Sequence, residues 1–386
     1  MKNSRRTAAF IVAHWLATRD FPAKMLPDGG AERAFVQDLV YTTVRRLRPL
    51  RHVLGELVKR WPKGELEALL YVGAVQILYM GDVPDFAAVN ETVEAAKECE
   101  NPSIAKVVNG VLRNLVRRRE EFERWLETAS VAERESYPDA IYRRWEARFG
   151  AEMAERLAKW HNEPAETFLA YPDRFERLPR GLAVSEVEGF AEGRFIVQDP
   201  ATALAVRLMA VQPGEAVLDA CAAPGGKAIQ LAWRGAKVTA CEVNPKRRRR
   251  LEANLERTGL AAAVRVVGSL DLPPASFAKV LVDAPCSNLG VLRRRPDARW
   301  NWSEEKLAVL VKLQGEILEA AASLVAPGGT LVYSTCSNEP AENQDRVAAF
   351  LAAHGEFEAG ASGESVPVES GQDGAFAAAL VRKAEA

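Results

Sequence analysis

Two cysteines occupy matching places in two short motifs, Asp283-Ala284-Pro285-Cys286 and Ser334-Thr335-Cys336. Each motif ends an apolar run of strand type, Lys279-Val-Leu-Val-Asp283 and Thr330-Leu-Val-Tyr-Ser-Thr-Cys336. Side chains just past the carboxyl end of a buried strand sit at the rim where open α/β sheets bind ligands. If the two strands are neighbours, two thiols and the Asp283 carboxylate share one pocket, and an ionised thiol there is a nucleophile. A single buried cysteine is commonly an inert small hydrophobe. Two of them beside a Gly-rich loop are harder to explain that way, whereas Cys99 and Cys241 lack that setting and read as structural.

The loop is Cys221-Ala222-Ala223-Pro224-Gly225-Gly226-Lys227, between the apolar Val217-Leu218-Asp219 and the helix-like Ala228-Ile-Gln-Leu-Ala-Trp. Residues without bulk at a strand end let the backbone approach a ligand, and the following helix offers unpaired N–H groups. A cofactor pocket is therefore expected, with Cys221 lining it through its backbone. The loop is not the GxGxxG dinucleotide pattern, and Ala228 stands where a P-loop needs a magnesium-binding hydroxyl. Glu242, at the end of Lys237-Val-Thr-Ala-Cys-Glu242, lies at the spacing of a carboxylate that grips both hydroxyls of a ribose. A surface acid at a strand end is the alternative.

These groups need a scaffold. From Glu215 onward strands alternate with helices, the pattern of a doubly wound sheet. A basic helix over Pro245–Arg257, strands over Val264–Val267 and Lys279–Asp283, and a helix over Glu304–Leu324 stopped by Pro327-Gly328-Gly329 are expected. Asp199 with Pro200 reads as the N-cap and first position of a further helix. Upstream, 5–126 carry helical apolar stripes such as Ile104, Val107, Val108, Val111, Leu112 and Leu115, and predict a bundle of six or seven helices. The interval 127–195 is a polar connector, with helices over Ala140–Phe149 and Ala151–Trp160 and strands at Thr167–Tyr171 and Arg194–Val197. The boundaries expected are 1–127 for the bundle, 128–196 for the connector and 197–386 for the α/β part.

Formal net charge is −1, from 51 basic and 52 acidic residues, so bulk charge points to no partner. A nucleic-acid surface must be a local patch. The tract Leu292-Arg-Arg-Arg-Pro-Asp-Ala-Arg-Trp-Asn-Trp302 interleaves Arg with Trp beside Cys286 and suits unpaired RNA bases. A solvated loop with Trp300 packed on the core is the alternative. Arg45, Arg46, Arg48 and Arg51, and Arg113 with Arg117–Arg119, form further basic clusters that suit either RNA or solvent. Five cysteines without a CxxC pair make a reduced, cytoplasmic protein the simpler expectation, and four His without ligand spacing argue against a metal. No run of about 18 apolar residues suggests a membrane span.

The segments Gln37–Tyr41, Ala68–Tyr79, Ala88–Lys97 and Val108–Asn114 resemble the helical RNA-binding domain of NusB antitermination factors. Ala222-Ala-Pro-Gly-Gly-Lys, Asp283-Ala-Pro-Cys-Ser and Ser334-Thr-Cys-Ser are, in that order, similar to the RNA cytosine-5 methyltransferases that use S-adenosylmethionine. The combination looks like the RsmB (Sun/Fmu) branch, which modifies small-subunit ribosomal RNA. The resemblance implies an all-α NusB-like bundle, a small α+β connector and a Rossmann-like class I methyltransferase domain, acting on RNA; a monomer is expected. It implies Cys336 as the nucleophile at carbon 6 of cytosine, Asp283 as the group that hydrogen-bonds the base, and Cys286 as the helper in release. Exchange of the two cysteine roles stays open, since DNA cytosine methyltransferases attack from a Pro-Cys motif. Cofactor contacts are implied for Cys221, Ala222, Ala223, Pro224, Gly225, Gly226, Lys227, Glu242 and Asp283. The family usually has Asp after Gly268; this chain has Ser269, so either Ser269 serves there or Asp271 reaches in. Transfer RNA as substrate, and a non-catalytic assembly factor, are the competing readings.

Overall fold

The computed structural model describes every residue except Met1, Lys2, Asp28, Pro102, Arg180, Glu385 and Ala386. The chain divides into two compact units, Met1–Glu163 with Arg295–Asn301, and Pro164–Arg294 with Trp302–Ala386. The connector interval is thus shared, its helices falling in the first unit and its strands in the second.

In the first unit the helical stripes form α1 (Ser4–Thr18), α2 (Gly30–Arg45), α3 (Leu47–Leu57), α4 (Glu65–Tyr79), α5 (Asp85–Lys97), α6 (Ser103–Arg117) and α7 (Arg119–Thr128). Apolar from Ala68 to Val75 and again at Ile77, with Gln76 hydrogen-bonded internally to the Val72 carbonyl, α4 is buried on every side. The others turn one stripe inward: Val108, Val111, Leu112 and Leu115 are the buried residues of α6. Gly73 of α4 lies against the Leu112 side chain, where a β-carbon would leave no room. The helices Asp139–Phe149 and Ala151–Trp160 belong to the same unit.

So does Arg295–Asn301, which corrects the expectation of an RNA-reading tract. Arg299 is fully buried, donates to the Ser136 carbonyl at 3.2 Å and the Asn162 side-chain oxygen at 2.9 Å, and lies 3.9 Å from the Tyr137 ring centre. Trp300 gives its indole N–H to the Val44 carbonyl at 2.8 Å. Arg295 covers the Phe21 ring at 3.9 Å and pairs with buried Asp297. In the second unit Arg293 donates to the Pro164 carbonyl, and Arg294 is held between Asp199 and Asp373 at 2.7 and 2.5 Å. Arg–Trp interleaving signals stacking groups, and here those groups stack on and bond to the protein itself. Arg299→Ala strands the buried Ser136 carbonyl and the half-buried Asn162 oxygen and is expected to cost about 3 kcal/mol, read as a lower urea midpoint for the first transition in tryptophan fluorescence.

The second unit carries a small antiparallel sheet of β1 (Phe168–Ala170), β2 (Phe175–Arg177) and β3 (Ile196–Val197), in the order β2-β1-β3. Its main sheet holds β4 (Ala216–Asp219), β5 (Lys237–Cys241), β6 (Val264–Val267), β7 (Phe277–Asp283), β8 (Val325–Thr335), β9 (Phe357–Ser365) and β10 (Ala375–Arg382). The order is β6-β5-β4-β7-β8-β10-β9, parallel except that β10 runs antiparallel to both β8 and β9. Side chains alternate between two apolar layers. Val217, Leu281 and Val332 join the layer of the helices Ala203–Met209, Gly226–Trp233 and Pro245–Arg257, while Leu218, Val280 and Tyr333 join that of Glu304–Ala322 and Gln344–Ala353.

Pro327-Gly328-Gly329 does not stop a helix; Glu304–Ala322 has already ended and the three residues lie inside β8. Gly328 takes φ +74°, and the register of β7 on β8 shifts between Phe277 and Lys279. Glycine serves a bulge here, not a cap. Asp199 accepts from the Ala201 N–H at 2.9 Å, capping a short 3-10 turn (Pro200–Thr202) that leads into Ala203–Met209.

Candidate active site

Parallel pairing of β7 and β8 sets Asp283 level with Ser334. The next residues of both strands therefore emerge side by side, and the sulfurs of Cys286 and Cys336 lie 3.2 Å apart. Asp283 accepts from the Ser334 hydroxyl at 2.8 Å with one oxygen and from the Lys227 ammonium at 2.6 Å with the other. Lys227 ends the Gly-rich loop, so one ion pair ties that loop to the cysteine-bearing strands. Lys227, Asp283, Ser334 and Cys336 line a single cavity with Ala201 and Phe376. Cys286 touches Cys336 but is not itself among the lining residues.

The protonation pattern follows from these contacts. The hydrogen bond with Cys336 and then burial push the Cys286 thiol well above its ordinary range. Cys286 therefore keeps its proton. Burial acts to discharge Lys227, but Asp283 outweighs it and the ammonium is held. Burial, then repulsion by Asp283, raises the Asp219 carboxyl to about 7.

The cofactor crevice opens at the carboxyl end of β4, between β5 and β7, where the strand order reverses. The Ala220 and Ala222 N–H groups donate to Leu281 and Cys241 carbonyls at 2.8 and 2.9 Å, pinning the start of the loop to both neighbours. Gly225 takes φ +112°, and a β-carbon there would meet Leu251 at 2.9 Å, so the turn requires glycine. Asn254 donates to the Pro224 carbonyl at 2.8 Å. Glu242 is no surface acid: it is 4% exposed, accepts from the Asn244 N–H at 2.8 Å and pairs with Arg247 at 3.1 Å. Ser269 and Asp271 both lie exposed in the loop after β6, and the Arg248 guanidinium rests against Gly268.

Two groups that the sequence did not single out complete the site. Asn288, in left-handed conformation at φ 61°, lies with its side-chain oxygen 3.2 Å from the Cys336 sulfur. Gly290 donates to the Cys336 carbonyl at 3.1 Å. The Asn-Leu-Gly run after the Pro-Cys motif was the available signal, since Asn and Gly are the residues that tolerate such backbone.

The family model described as 16S rRNA methyltransferase RsmB/F matches residues 206–381, and that of the NusB family matches 2–117. A probable ribosomal RNA small subunit methyltransferase B from Synechocystis sp. is 33% identical over 91% of this chain and 90% of its own length. The ribosomal RNA small subunit methyltransferase B of Vibrio cholerae serotype O1 is 34% identical over 83% and 81%. The chain belongs to the ribosomal RNA small subunit methyltransferase B family. In fold, the chain matches PH0851 with a TM-score of 0.79 at 23% identity, over 98% of each chain. A methyltransferase homolog protein from Pyrococcus horikoshii matches with a TM-score of 0.55 at 23% identity, covering 65% of this chain and 97% of its own.

S-adenosylmethionine is the cofactor of the methyltransferase B family, and the crevice suits it chemically. Asp219 is 1% exposed and, among the described residues, its side chain accepts only from the Cys221 N–H, at 3.3 Å, leaving acceptor capacity for a cationic amino group. The Glu242 carboxylate lies at the end of β5, and Gly225 and Gly226 pack against Leu251 and Gln198. Among the described residues no group of three or more His, Cys, Asp or Glu could hold a metal, and no helix is long and apolar enough to cross a membrane.

Proposed function

We propose that the protein transfers a methyl group from S-adenosylmethionine to carbon 5 of a cytosine in 16S ribosomal RNA, through a covalent adduct between Cys336 and carbon 6. The observation that carries this reading is the 3.2 Å approach of Cys286 to Cys336 beside Asp283, with Lys227 bridging to the Gly-rich loop. Carbon 5 of cytosine is too weak a nucleophile to take a methyl group unaided. Addition of a thiolate at carbon 6 moves electron density to carbon 5. The Cys336 thiolate makes that addition, with the Cys286 thiol donating to it. Asp283 hydrogen-bonds the exocyclic amine, and protonated Lys227 offsets the negative charge that grows on the ring as the thiolate attacks. When bound, the cofactor would supply an electrophilic methyl on a sulfonium, and Gly225 and Gly226 with Asp219 and Glu242 would hold it. After transfer the carbon-5 proton leaves to a base, the ring double bond re-forms, and Cys336 departs as thiolate.

The base must leave its stack to enter the cavity, which suits a single-stranded or immature RNA. The names of the relatives supply ribosomal RNA as the substrate class, and the NusB-like unit the RNA contact. The enzyme is taken to act as a monomer in the cytoplasm. Bisulfite mapping of RNA from cells lacking the gene tests the whole reading: a single 5-methylcytosine in 16S RNA is expected to vanish and to return with the wild-type gene. Loss of a mark in transfer RNA instead identifies the other substrate, and no lost mark in any RNA leaves the non-catalytic assembly factor.

A further inference from the structure

Behind the two thiols lies a buried polar group that neither lines the cavity nor reaches the cofactor loop. Glu342 and Asn343 follow the Ser-Thr-Cys-Ser motif, and each is fully buried. The Glu342 carboxylate accepts from the Ser287 N–H at 2.8 Å and from the Ser287 hydroxyl at 2.6 Å. Its first oxygen also accepts from Gln314 at 3.1 Å, and the same Gln314 amide donates to the Pro285 carbonyl at 3.0 Å. Pro285 and Ser287 are the two neighbours of Cys286. Asn343 does the same for the other thiol: its side-chain oxygen accepts from the Thr335 hydroxyl at 2.6 Å, and its amide donates to the Ser337 carbonyl at 2.8 Å. Thr335 and Ser337 are the two neighbours of Cys336.

The halves are joined twice more. The Ser287 and Ser337 hydroxyls meet at 3.2 Å, and the Tyr333 hydroxyl, three residues before Cys336, donates to the Glu342 carbonyl at 2.7 Å. We propose that Glu342 and Asn343 are positioning residues, a two-residue bracket that fixes both cysteine loops and thereby the distance between the thiols. Two loops leaving adjacent strands have no reason of their own to hold side chains in contact. A dipeptide whose consecutive side chains grip the flanks of each cysteine supplies one. The buried Glu342 charge also helps keep Cys286 protonated, together with Cys336 itself; the other ionisable groups near the pair are Tyr333, Asp283 and Lys227. The kinetic half of the proposal rests on the covalent role of Cys336 proposed above; the geometric half does not.

Phenylarsine oxide, which forms two As–S bonds and releases water when two thiols can be reached together, reads the geometry directly. In the full-length wild type it is expected to protect Cys286 and Cys336 jointly from N-ethylmaleimide, followed peptide by peptide by mass spectrometry. In Glu342→Ala the joint protection is lost while each thiol still alkylates singly, and kcat falls by about 100-fold because the reacting groups are displaced by the order of an ångström. Cofactor affinity stays the same, since no residue of the crevice contacts the bracket. Glu342→Gln keeps an acceptor for the Ser287 N–H and a donor for its hydroxyl, and is expected to restore both protection and most of kcat. Should Glu342→Ala fail to bind the cofactor, Glu342→Asp decides: it keeps the charge and withdraws it by one methylene, so protection and kcat must both drop. Retained joint protection in Glu342→Ala or Glu342→Asp, or lost protection with unchanged kcat, overturns the proposal. A Cys336→Ala protein that still methylates RNA would remove the covalent reading and leave the arsenical result intact.

Discussion

Cys336→Ala is expected to abolish RNA methylation, with the transfer rate falling at least about 10⁴-fold, the scale on which loss of a covalent nucleophile acts. S-adenosylmethionine should bind as before, because the crevice at Gly225, Asp219 and Glu242 makes no use of this sulfur. The size of the effect follows from what is left behind. Asp283 and Lys227 remain to polarise the base, but without a carbon-6 adduct carbon 5 has no electron pair to offer. Cys286 cannot take over: it stands behind the cavity lining, and burial still opposes its ionisation. Single-turnover transfer of a labelled methyl group to unmodified 16S RNA measures the loss. Full activity in this variant would mean that the Pro-Cys thiol attacks, as in the exchanged assignment of the two roles.

The two cysteine motifs and the Gly-rich loop were legible because each sits at the end of a strand with a strong apolar signature, and parallel strands deliver their carboxyl ends to one rim. Val264–Val267 and Lys279–Asp283 read as strands from their apolar runs, and each falls within a strand of the sheet. Reading failed where that logic has no purchase. In β10, Phe376, Ala378 and Leu380 face one layer while Ala377 and Ala379 face the other. Apolar on both faces and rich in alanine, it carries no period of two, and with β9 it escaped notice. Nor does a glycine pair announce whether it caps a helix or relaxes a bulge, as Gly328 and Gly329 do inside β8.

Charge was the most misleading signal. The Arg-Arg-Arg-Pro-Asp-Ala-Arg-Trp tract has the composition of an RNA-stacking loop, yet Arg299 and Asp297 are buried and Trp300 is hydrogen-bonded to a helix carbonyl. Composition records that cationic and aromatic groups are present; only partners say whether they are spent internally. Glu342 and Asn343 show the converse. In sequence they are two polar residues in a loop, and nothing local distinguishes them from solvated ones. Their partners, Ser287 and Gln314 on one side and Thr335 and Ser337 on the other, lie on elements brought together by the β7–β8 pairing.

Cys286→Ala, by contrast with the first variant, is expected to methylate once and stall, so that a covalent protein–RNA complex accumulates and survives denaturing electrophoresis. In the wild type the Cys286 thiol lies 3.2 Å from the sulfur that must leave. Its proton is held because the approach of Cys336 and burial both oppose ionisation. The sign of that shift matters. A thiol whose value is raised stays a donor at neutral pH and through mildly alkaline conditions, so it can stabilise the departing Cys336 thiolate as the carbon–sulfur bond breaks. Alanine removes the donor and leaves the leaving thiolate in a dry pocket without it, a loss of about 2–3 kcal/mol for a hydrogen bond to a charged group, or roughly 30- to 150-fold in the release rate. Methyl transfer precedes this step and should proceed within a few-fold of normal in a single turnover. The measurement is therefore a pair: label incorporated into RNA in the first turnover, and the fraction of that RNA attached to protein. Normal multiple turnover without adduct would sink the release role of Cys286, whereas an adduct that fails to form at all would move the nucleophile from Cys336 to Cys286.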